Sequence, residues 1–221
     1  MFNKYKLHLK TILSTKILDI ELKKNLHQNN FKVIEHDFIT IKFIDNLIPF
    51  IENQVIITSK NAIQALENYS KELLKIFCVG FETQRILQEK GFNVIETAKN
   101  GQSLAEIIVK KYSNLNFTYF CSEIRRDILP NILNQNYIQY QEIIAYKTIL
   151  TPLKIVDKVD FIFFYSPSGV KSFLINNLIT NELCVCIGKT TAHELDLITQ
   201  NVIISSSSVI KDLVFEFMSN F

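Results

Sequence analysis

The stretch IFFYSPSGVKSF, residues 162–173, begins as a continuous apolar run and ends with the spacing of an amphipathic helix. Between the two parts lies Ser166-Pro167-Ser168-Gly169. The earlier stretch VIITSKNAIQAL, residues 55–66, has the same order of features and places Ser59 at the same junction. A continuous apolar strand that leads into a helix is typical of parallel sheets covered on both faces. These two stretches therefore predict an α/β protein built from a repeated strand–helix unit.

The repeat extends to two further pairs of stretches in the same order. CVGFETQRIL (78–87) corresponds to CIGKTTAHEL (186–195), and TILSTKILDIEL (11–22) corresponds more loosely to YFCSEIRRDIL (119–129). The separation is 107 residues between Ser59 and Ser166, 107 between Thr15 and Ser122, and 108 between Thr83 and Thr191. Three ordered matches at one spacing indicate two structurally similar halves.

The repeat leaves two domain arrangements open. The chain could divide into two simple halves near residue 113, or the first strand–helix unit could complete the domain built by the last three. Two long strand-like stretches, residues 31–44 and 137–150, favour the interleaved arrangement. Each is long enough to leave one sheet and cross to another lobe, which predicts a paired two-stranded connector.

The composition excludes several classes of protein. A formal charge of +2 over 221 residues gives no nucleic-acid footprint. No apolar run approaches the ~20 residues of a transmembrane helix, and lysines interrupt the N-terminal segment, so we expect a cytoplasmic protein with no membrane association. The four cysteines lack metal-ligand spacing, so buried thiols and no metal site are expected.

A hydroxyl side chain stands at each predicted strand-to-helix junction. Such junctions lie at the carboxyl ends of parallel strands, where ligands bind, and helix starts favour anions. N-capping is the alternative interpretation, because serine and threonine satisfy the same backbone N–H groups. The set is Thr15, Ser59, Thr83, Ser122, Ser166, Ser168, Thr190 and Thr191.

Other motifs argue against covalent and nucleotide chemistry. Tyr165 precedes Ser166, so no G-x-S-x-G elbow is present, and Gly169 instead allows close backbone approach. Neither a Walker loop nor G-x-G-x-x-G occurs, which gives a nucleotide-dependent enzyme little support. Arg125 and Arg126 suit either local salt bridges or carboxylate recognition. Tyr146 suits either packing or proton donation.

Taken together, these motifs resemble the uroporphyrinogen-III synthase family over essentially the whole chain. The resemblance rests on ITSKNAIQAL, VGFETQRILQEKGF, Gly101-Gln102-Ser103-Leu104, CSEIRRDILPNIL, IIAYKT, FFYSPSGVKSFL and IGKTTAHEL. It implies two parallel α/β lobes joined by a two-stranded β connector, with the N-terminal unit packing with the C-terminal lobe. The implied ranges are 1–36 with 151–221 for one lobe, 45–142 for the other, and 37–44 with 143–150 for the connector.

The resemblance also implies a reaction. Hydroxymethylbilane, a linear tetrapyrrole with acetate and propionate arms, would be cyclised to uroporphyrinogen III with inversion of ring D and loss of water. Tyr146, in the Y-x-T motif, would be the proton donor, and no cofactor would be needed. Substrate would be held near the hydroxyl set, at Ser59, Thr83, Ser103, Ser122, Ser166, Ser168, Gly169, Thr190 and Thr191.

The expected protein is a monomeric hydro-lyase that could receive its substrate transiently from hydroxymethylbilane synthase. Many family members have arginine where Lys16 and Asn61 stand, and a small or neutral residue where Glu82 stands. Glu82 would place a negative charge near an anion site. The alternative function is a non-catalytic, two-lobed tetrapyrrole-binding protein.

Overall fold

The computed structural model describes residues 9–44 and 51–220. Within them the strands are β1 Lys10–Ser14, β2 Phe31–Glu35, β3 Ile39–Phe43, β4 Gln54–Ile57, β5 Lys75–Val79, β6 Asn93–Ala98, β7 Phe117–Ser122, β8 Tyr140–Leu150, β9 Phe161–Phe164, β10 Leu183–Cys186 and β11 Val202–Ile204. The α-helices are α1 Ile20–Gln28, α2 Phe81–Glu89, α3 Gly101–Lys111, α4 Ile128–Gln135, α5 Pro167–Asn176, α6 Lys189–Ala192 and α7 Ile210–Asn220. Two 3₁₀ helices span Lys60–Asn68 and His193–Leu195.

The chain divides into two compact units. The terminal unit comprises residues 1–40 and 149–221, and the central unit comprises residues 41–148. The division falls within β3 on the way out and within β8 on the way back, and these two strands are neighbours in one sheet. The stretches 37–44 and 143–150 contain both crossing points.

The two sheets have equivalent strand orders. The terminal sheet runs β11-β10-β9-β1-β2, and all four of its pairings are parallel. The central sheet runs β6-β5-β4-β7-β8-β3, and its pairings from β6 to β8 are parallel. Strand β4 begins at residue 54 and β9 at residue 161, a separation of 107. The predicted repeat and the two parallel α/β lobes are therefore confirmed.

The interleaved arrangement explains why β1 is an interior strand of the terminal sheet. It pairs with β2 on one side and with β9 on the other, 149 positions later in the chain at Ile12 and Phe161. Simple halves divided near residue 113 would have separated β1 from β9. The structure thus places the N-terminal unit with the C-terminal lobe, as the family resemblance implied.

The predicted long strand over 31–44 is wrong, because β2 and β3 are separate strands with a break between them. The backbone N–H groups of His36 and Phe38 donate to the carbonyls of Ser14 and Thr15, at 3.2 and 3.3 Å. Asp37 turns its carboxylate to the N–H of Ile17, at 2.9 Å. These bonds to the loop after β1 replace the strand ladder, so the chain leaves the terminal sheet before β3 begins.

The helical parts of two repeat units differ in detail from an α-helix. The part of VIITSKNAIQAL after Ser59 lies in the 3₁₀ helix Lys60–Asn68, and the KTTAHEL part of CIGKTTAHEL is a four-residue α-helix followed by a 3₁₀ turn. Both still bury an apolar face, with Ala62, Ile63 and Leu66 buried in the first. Packing on the sheet therefore tolerates a tighter helix than the spacing predicted.

Each sheet separates two apolar core layers. In β4, Val55 and Ile57 face one layer of the central unit, and Ile56 faces the other. In the terminal unit, Ile12 and Leu13 alternate in the same way between two layers. All four cysteines are free and buried, as predicted, and Cys184 and Cys186 share one layer.

Candidate active site

The central unit collects five of the predicted site residues along the carboxyl edge of its sheet. In the order β8-β7-β4-β5-β6, the ends of β4, β5 and β6 lead to Ser59, Thr83 and Ser103. Ser122 ends β7, and Tyr146 lies opposite it within β8. Neighbouring parallel strands lie about 4.8 Å apart, so these residues form one row across the sheet edge. In open parallel sheets this is the edge at which ligands bind.

Tyr146 lies opposite Ser122 because β8 contains a bulge. Cys121 is opposite Ile144, and Ser122 is opposite Tyr146, so Ala145 has no counterpart on β7. A bulge re-aims the side chains that follow it. The Tyr146 side chain is only 7% exposed and belongs to the same apolar layer as Phe120. Its hydroxyl makes no hydrogen bond to any residue of 9–44 or 51–220.

The start of α2 lacks a side-chain cap. Gly80 occupies the N-cap position with φ of 86°, a left-handed conformation that glycine adopts without strain. Since glycine has no side chain to accept a hydrogen bond, the first N–H groups of α2 remain for solvent or a ligand. Thr83 is 6% exposed, and its hydroxyl has no partner among the residues that the structure describes. A Cβ on Gly80 would lie 3.9 Å from Thr83 Oγ1, so this hydroxyl faces the helix start.

Two other helix starts of the central unit are capped by side chains, whereas α4, like α2, has no side-chain cap. Ser59 Oγ accepts a hydrogen bond from the N–H of Asn61 at 3.3 Å. Asn100 Oδ1 accepts from the N–H of Ser103 at 2.8 Å, so Asn100, which sequence reasoning missed, is the cap of α3. A side-chain amide before Gly101 was the available signal. The capping interpretation therefore applies to Ser59, while Ser103 is a residue whose N–H is capped.

Arginine 125 forms local ion pairs. Its Nε and Nη2 atoms each lie 2.8 Å from Glu142 Oε1, and Nη1 contacts Asp127. The hydrogen bonds that Arg125 donates to Glu142 raise the pKa of Arg125 above its usual value. Arg125 and Arg126 precede α4, which begins at Ile128, so neither lies within a helix. Local salt bridging is thus what Arg125 does in this structure.

The terminal unit places Ser166, Ser168, Gly169, Thr190 and Thr191 at the carboxyl ends of the adjacent strands β9 and β10. Ser166 Oγ accepts from the N–H of Gly169 at 3.0 Å, so it caps α5, with Pro167 at the first helical position. A Cβ on Gly169 would lie 3.3 Å from Ser166 Oγ and 3.7 Å from Thr15 Oγ1. Glycine therefore keeps this junction compact.

Threonines 190 and 191 differ in exposure. Thr190 is exposed, whereas Thr191 is 2% exposed, and its N–H donates to the carbonyl of Gly188 at 3.0 Å. Thr15 is turned inward, with Oγ1 donating to the carbonyl of Phe163 at 2.7 Å. Thr15 thus ties β1 to β9, and the binding residues predicted on β9 and β10 stay predictions.

A half-buried tyrosine that sequence reasoning passed over, Tyr165, organises the end of β9. The Tyr165 hydroxyl lies 3.0 Å from Ser14 Oγ, and Ser14 Oγ donates to the carbonyl of Lys16 at 2.5 Å. Since a serine has only one hydroxyl proton, Tyr165 is the donor to Ser14. Burial raises the pKa of Tyr165, so the phenol stays neutral. This chain of hydrogen bonds fixes the loop that carries Lys16.

The thiols are unsuited to nucleophilic chemistry. Burial raises the pKa values of Cys121, Cys184 and Cys186 to about 12, so they are protonated at neutral pH. Within residues 9–44 and 51–220, no group of three or more His, Cys, Asp and Glu side chains is arranged to hold a metal ion. No helix in the described part of the chain has the length and apolarity to cross a bilayer.

Comparison with known proteins identifies the family. The model of the family described as uroporphyrinogen-III synthase HemD matches residues 20–214, most of the chain. The chain belongs to the uroporphyrinogen-III synthase family. It is similar to the uroporphyrinogen-III synthase of Saccharomyces cerevisiae, with 29% identity over 184 residues that cover 65% of this chain and 67% of the yeast protein. The resemblance read from the sequence is therefore confirmed, and an enzyme is favoured over a non-catalytic binding protein.

Solved structures share the fold. Uroporphyrinogen-III synthetase from Helicobacter pylori superposes with a TM-score of 0.71 at 19% identity, covering 96% of this chain and all of that one. A mutant uroporphyrinogen-III synthase from Thermus thermophilus gives 0.66 at 12% identity, covering 95% and 98%. At such identities the likeness concerns architecture, and the roles of individual residues rest on the geometry described above.

Proposed function

We propose that this chain cyclises hydroxymethylbilane to uroporphyrinogen III, inverting ring D and releasing one molecule of water. The observation that carries the proposal, beside family membership, is the row of hydroxyls that ends at Tyr146 along one sheet edge of the central unit. Tyr146 has a hydroxyl free of described partners, in a position fixed by the β8 bulge. A fixed phenol of this kind is suited to donating a proton.

The difficult step is departure of the ring A hydroxyl, which is a poor leaving group as hydroxide. Proton donation by Tyr146 makes water the leaving group, while the lone pair of the pyrrole nitrogen assists breakage of the carbon–oxygen bond. Attack by ring D then passes through a spirocyclic intermediate before ring closure. General acid catalysis of this type contributes roughly 10²–10⁴-fold.

The carboxylate arms of the substrate are matched by neutral donors. The uncapped start of α2 and the Thr83 hydroxyl present N–H and O–H groups at the carboxyl edge. In the terminal unit, the half-buried Ser168, the exposed Thr190 and the amides around Gly188 present the same kinds of group. Holding the arms would bring the two ends of the linear tetrapyrrole into reacting distance, which is a large source of rate enhancement.

We expect the enzyme to work without a cofactor, as a cytoplasmic monomer that can accept substrate transiently from hydroxymethylbilane synthase. Every group assigned to the reaction above is a protein hydroxyl or amide. Light scattering on a size-exclusion column tests the oligomeric state against the chain mass of 25.7 kDa.

The test of the function is product analysis. Purified protein is incubated with hydroxymethylbilane, and the oxidised products are separated into type III and type I isomers. Accelerated formation of the type III isomer is expected, because only enzymatic closure inverts ring D. Formation of type I alone, at the rate of the protein-free control, would contradict the proposal and favour a tetrapyrrole-binding protein.

A further inference from the structure

The first turn of α2 combines an anion-accepting helix start with an acidic side chain. Glu82 is the second residue of α2, directly between Phe81 and Thr83. This start has no side-chain cap, and the hydroxyl of the largely buried Thr83 faces it with no partner among the described residues. A free carboxylate at this position would repel the carboxylate arms of the proposed substrate.

Arginine 85 engages that carboxylate at two points. Its Nε donates to Glu82 Oε2 and its Nη2 donates to Glu82 Oε1, each at 3.1 Å. The remaining Nη1 donates to Glu89 Oε1 at 2.6 Å. Both Glu82 oxygens are thus directed toward the guanidinium, in the fork geometry that arginine forms with carboxylates. The side chains of Glu82 and Arg85 are 44% and 56% exposed.

The positive charges around Glu82 all favour its ionised form. Hydrogen bonding by Arg85 is the main cause that holds the pKa of Glu82 below its usual value, and the charge of Lys60 adds to it. Lys60 begins the 3₁₀ helix after β4, the strand beside β5. Glu82 is therefore ionised at neutral pH, and its charge is compensated by cations at the same edge.

We propose that Arg85 masks the charge of Glu82, so that the start of α2 accepts a substrate carboxylate. Arg85 is then a positioning residue for substrate binding that acts through Glu82 and makes no contact with the substrate. This inference rests on the proposed function, because it assigns a carboxylate of that substrate to this helix start.

A purely structural role would give a different pattern of mutant effects. Ion pairs at i,i+3 and i,i+4 support a helix weakly, so Arg85 could simply stabilise α2. In that case removing Glu82 as well as Arg85 would restore nothing. If Arg85 bound the substrate directly, the double variant would likewise stay impaired. Only masking predicts that the second substitution repairs the first.

The experiment is a double-mutant cycle with Arg85→Gln, Glu82→Gln and the combined variant. Glu89→Gln is the matched control, since it removes the other partner of Arg85 and leaves the Glu82 pair intact. Arg85→Gln should raise KM for hydroxymethylbilane about 3- to 10-fold with kcat nearly unchanged, the size expected for one uncompensated charge about 6 Å from an anion in solvated surroundings. The double variant and the Glu89→Gln control should have KM within twofold of wild type.

Ionic strength supplies a second readout. The increase in KM for Arg85→Gln should shrink as salt is raised from about 0.05 to 0.5 M, because screening weakens charge repulsion. Dissociation constants for uroporphyrin III, an air-stable octacarboxylate, should show the same four-variant pattern without any turnover. That binding measurement separates this inference from the reaction itself, since wild type could fail the product assay and still follow the pattern.

The inference is overturned if Arg85→Gln leaves both KM and uroporphyrin III affinity unchanged. It is equally overturned if the double variant is as impaired as Arg85→Gln, or if the impairment does not respond to salt. All variants should melt within a few degrees of wild type, because exposed ion pairs contribute little to stability.

Discussion

Ser166 and Thr83 are both hydroxyls at strand-to-helix junctions, yet their hydrogen bonds differ. Ser166 Oγ is already used as the cap of α5, whereas the Thr83 hydroxyl has no partner in the described part of the chain. Sequence reasoning treated them alike, because capping and ligand binding select the same residue types. Losing the Ser166 cap should therefore lower stability, whereas losing the Thr83 hydroxyl should weaken substrate binding.

Substitution by alanine should separate these roles. Ser166→Ala should lower the free energy of unfolding by about 1 kcal/mol, the usual cost of a lost cap. Thr83→Ala should leave stability nearly unchanged and raise KM roughly tenfold, since a hydrogen bond to a charged group contributes about 1.5 kcal/mol or more. Urea unfolding and steady-state kinetics measure both. Complete inactivation of folded Ser166→Ala would instead indicate a nucleophile.

Tyr146 is the residue on which the chemical step depends. Tyr146→Phe keeps the ring in the same apolar layer and removes only the hydroxyl, which bonds to no described residue. We expect normal folding, retained tetrapyrrole binding and a fall in kcat of roughly 10²-fold or more. The residual rate should stay above zero, because the pyrrole nitrogen still assists departure of the hydroxyl. Wild-type kcat combined with a lower melting temperature would make Tyr146 a packing residue only.

At the scale of elements, α1 and α4 end in the same way in the two units. Asn30 follows α1 with φ of 63°, and Tyr137, 107 residues later, follows α4 with φ of 59°. The left-handed conformation suits asparagine and costs most other residues about 1–2 kcal/mol. Tyr137 is 87% exposed, so little packing offsets that cost. The end of α4 therefore holds a tyrosine in a strained conformation, whereas the end of α1 holds an asparagine, which adopts it more easily.

Exchanging the residue types at these helix ends should change stability in opposite directions. Tyr137→Asn should raise the free energy of unfolding by about 1 kcal/mol, and Asn30→Tyr, its matched control, should lower it by about the same amount. Denaturant unfolding of both variants at one temperature makes the comparison. A loss of stability in Tyr137→Asn would show that the tyrosine ring contributes packing beyond what its exposure indicates.

At the scale of the molecule, the two units differ in how the chain builds them. The central unit is one continuous segment with its own two apolar layers. The terminal unit combines two segments, and β1 lies between β9 and β2 in its sheet. Removing the first segment therefore exposes the apolar faces of β9 along with an unpaired strand edge.

Separate expression of fragments tests this difference. Residues 41–148 should give a cooperative urea transition alone, whereas residues 149–221 should not. Adding residues 1–40 to the second fragment should restore cooperative unfolding, because it supplies β1, α1 and β2. Circular dichroism follows both transitions. Cooperative unfolding of 149–221 by itself would mean that β1 is not required for the terminal core.

The sequence alone determined the strands, their helices and the repeat, because these depend on local order. Continuous apolar runs such as FIFF predict buried parallel strands, and the separation of 107 residues between Ser59 and Ser166 predicts two similar sheets. The hydroxyls at the strand ends were also visible, since a junction residue is identified by the elements on each side of it. Family membership followed from the order and spacing of these same motifs.

Only the tertiary structure decided which strands β1 lies between, where residues 31–44 break and what each junction hydroxyl contacts. The apolar pattern of β1 fits either sheet, so its pairing with β9 depends on contacts between residues about 150 positions apart. The break at Asp37 arises from hydrogen bonds to the loop after β1. A one-residue bulge in β8 places Tyr146 opposite Ser122. The Arg85 fork depends on side-chain geometry that spacing alone does not specify. Such features arise from non-local packing and directional hydrogen bonds, which leave no periodic signal in the sequence.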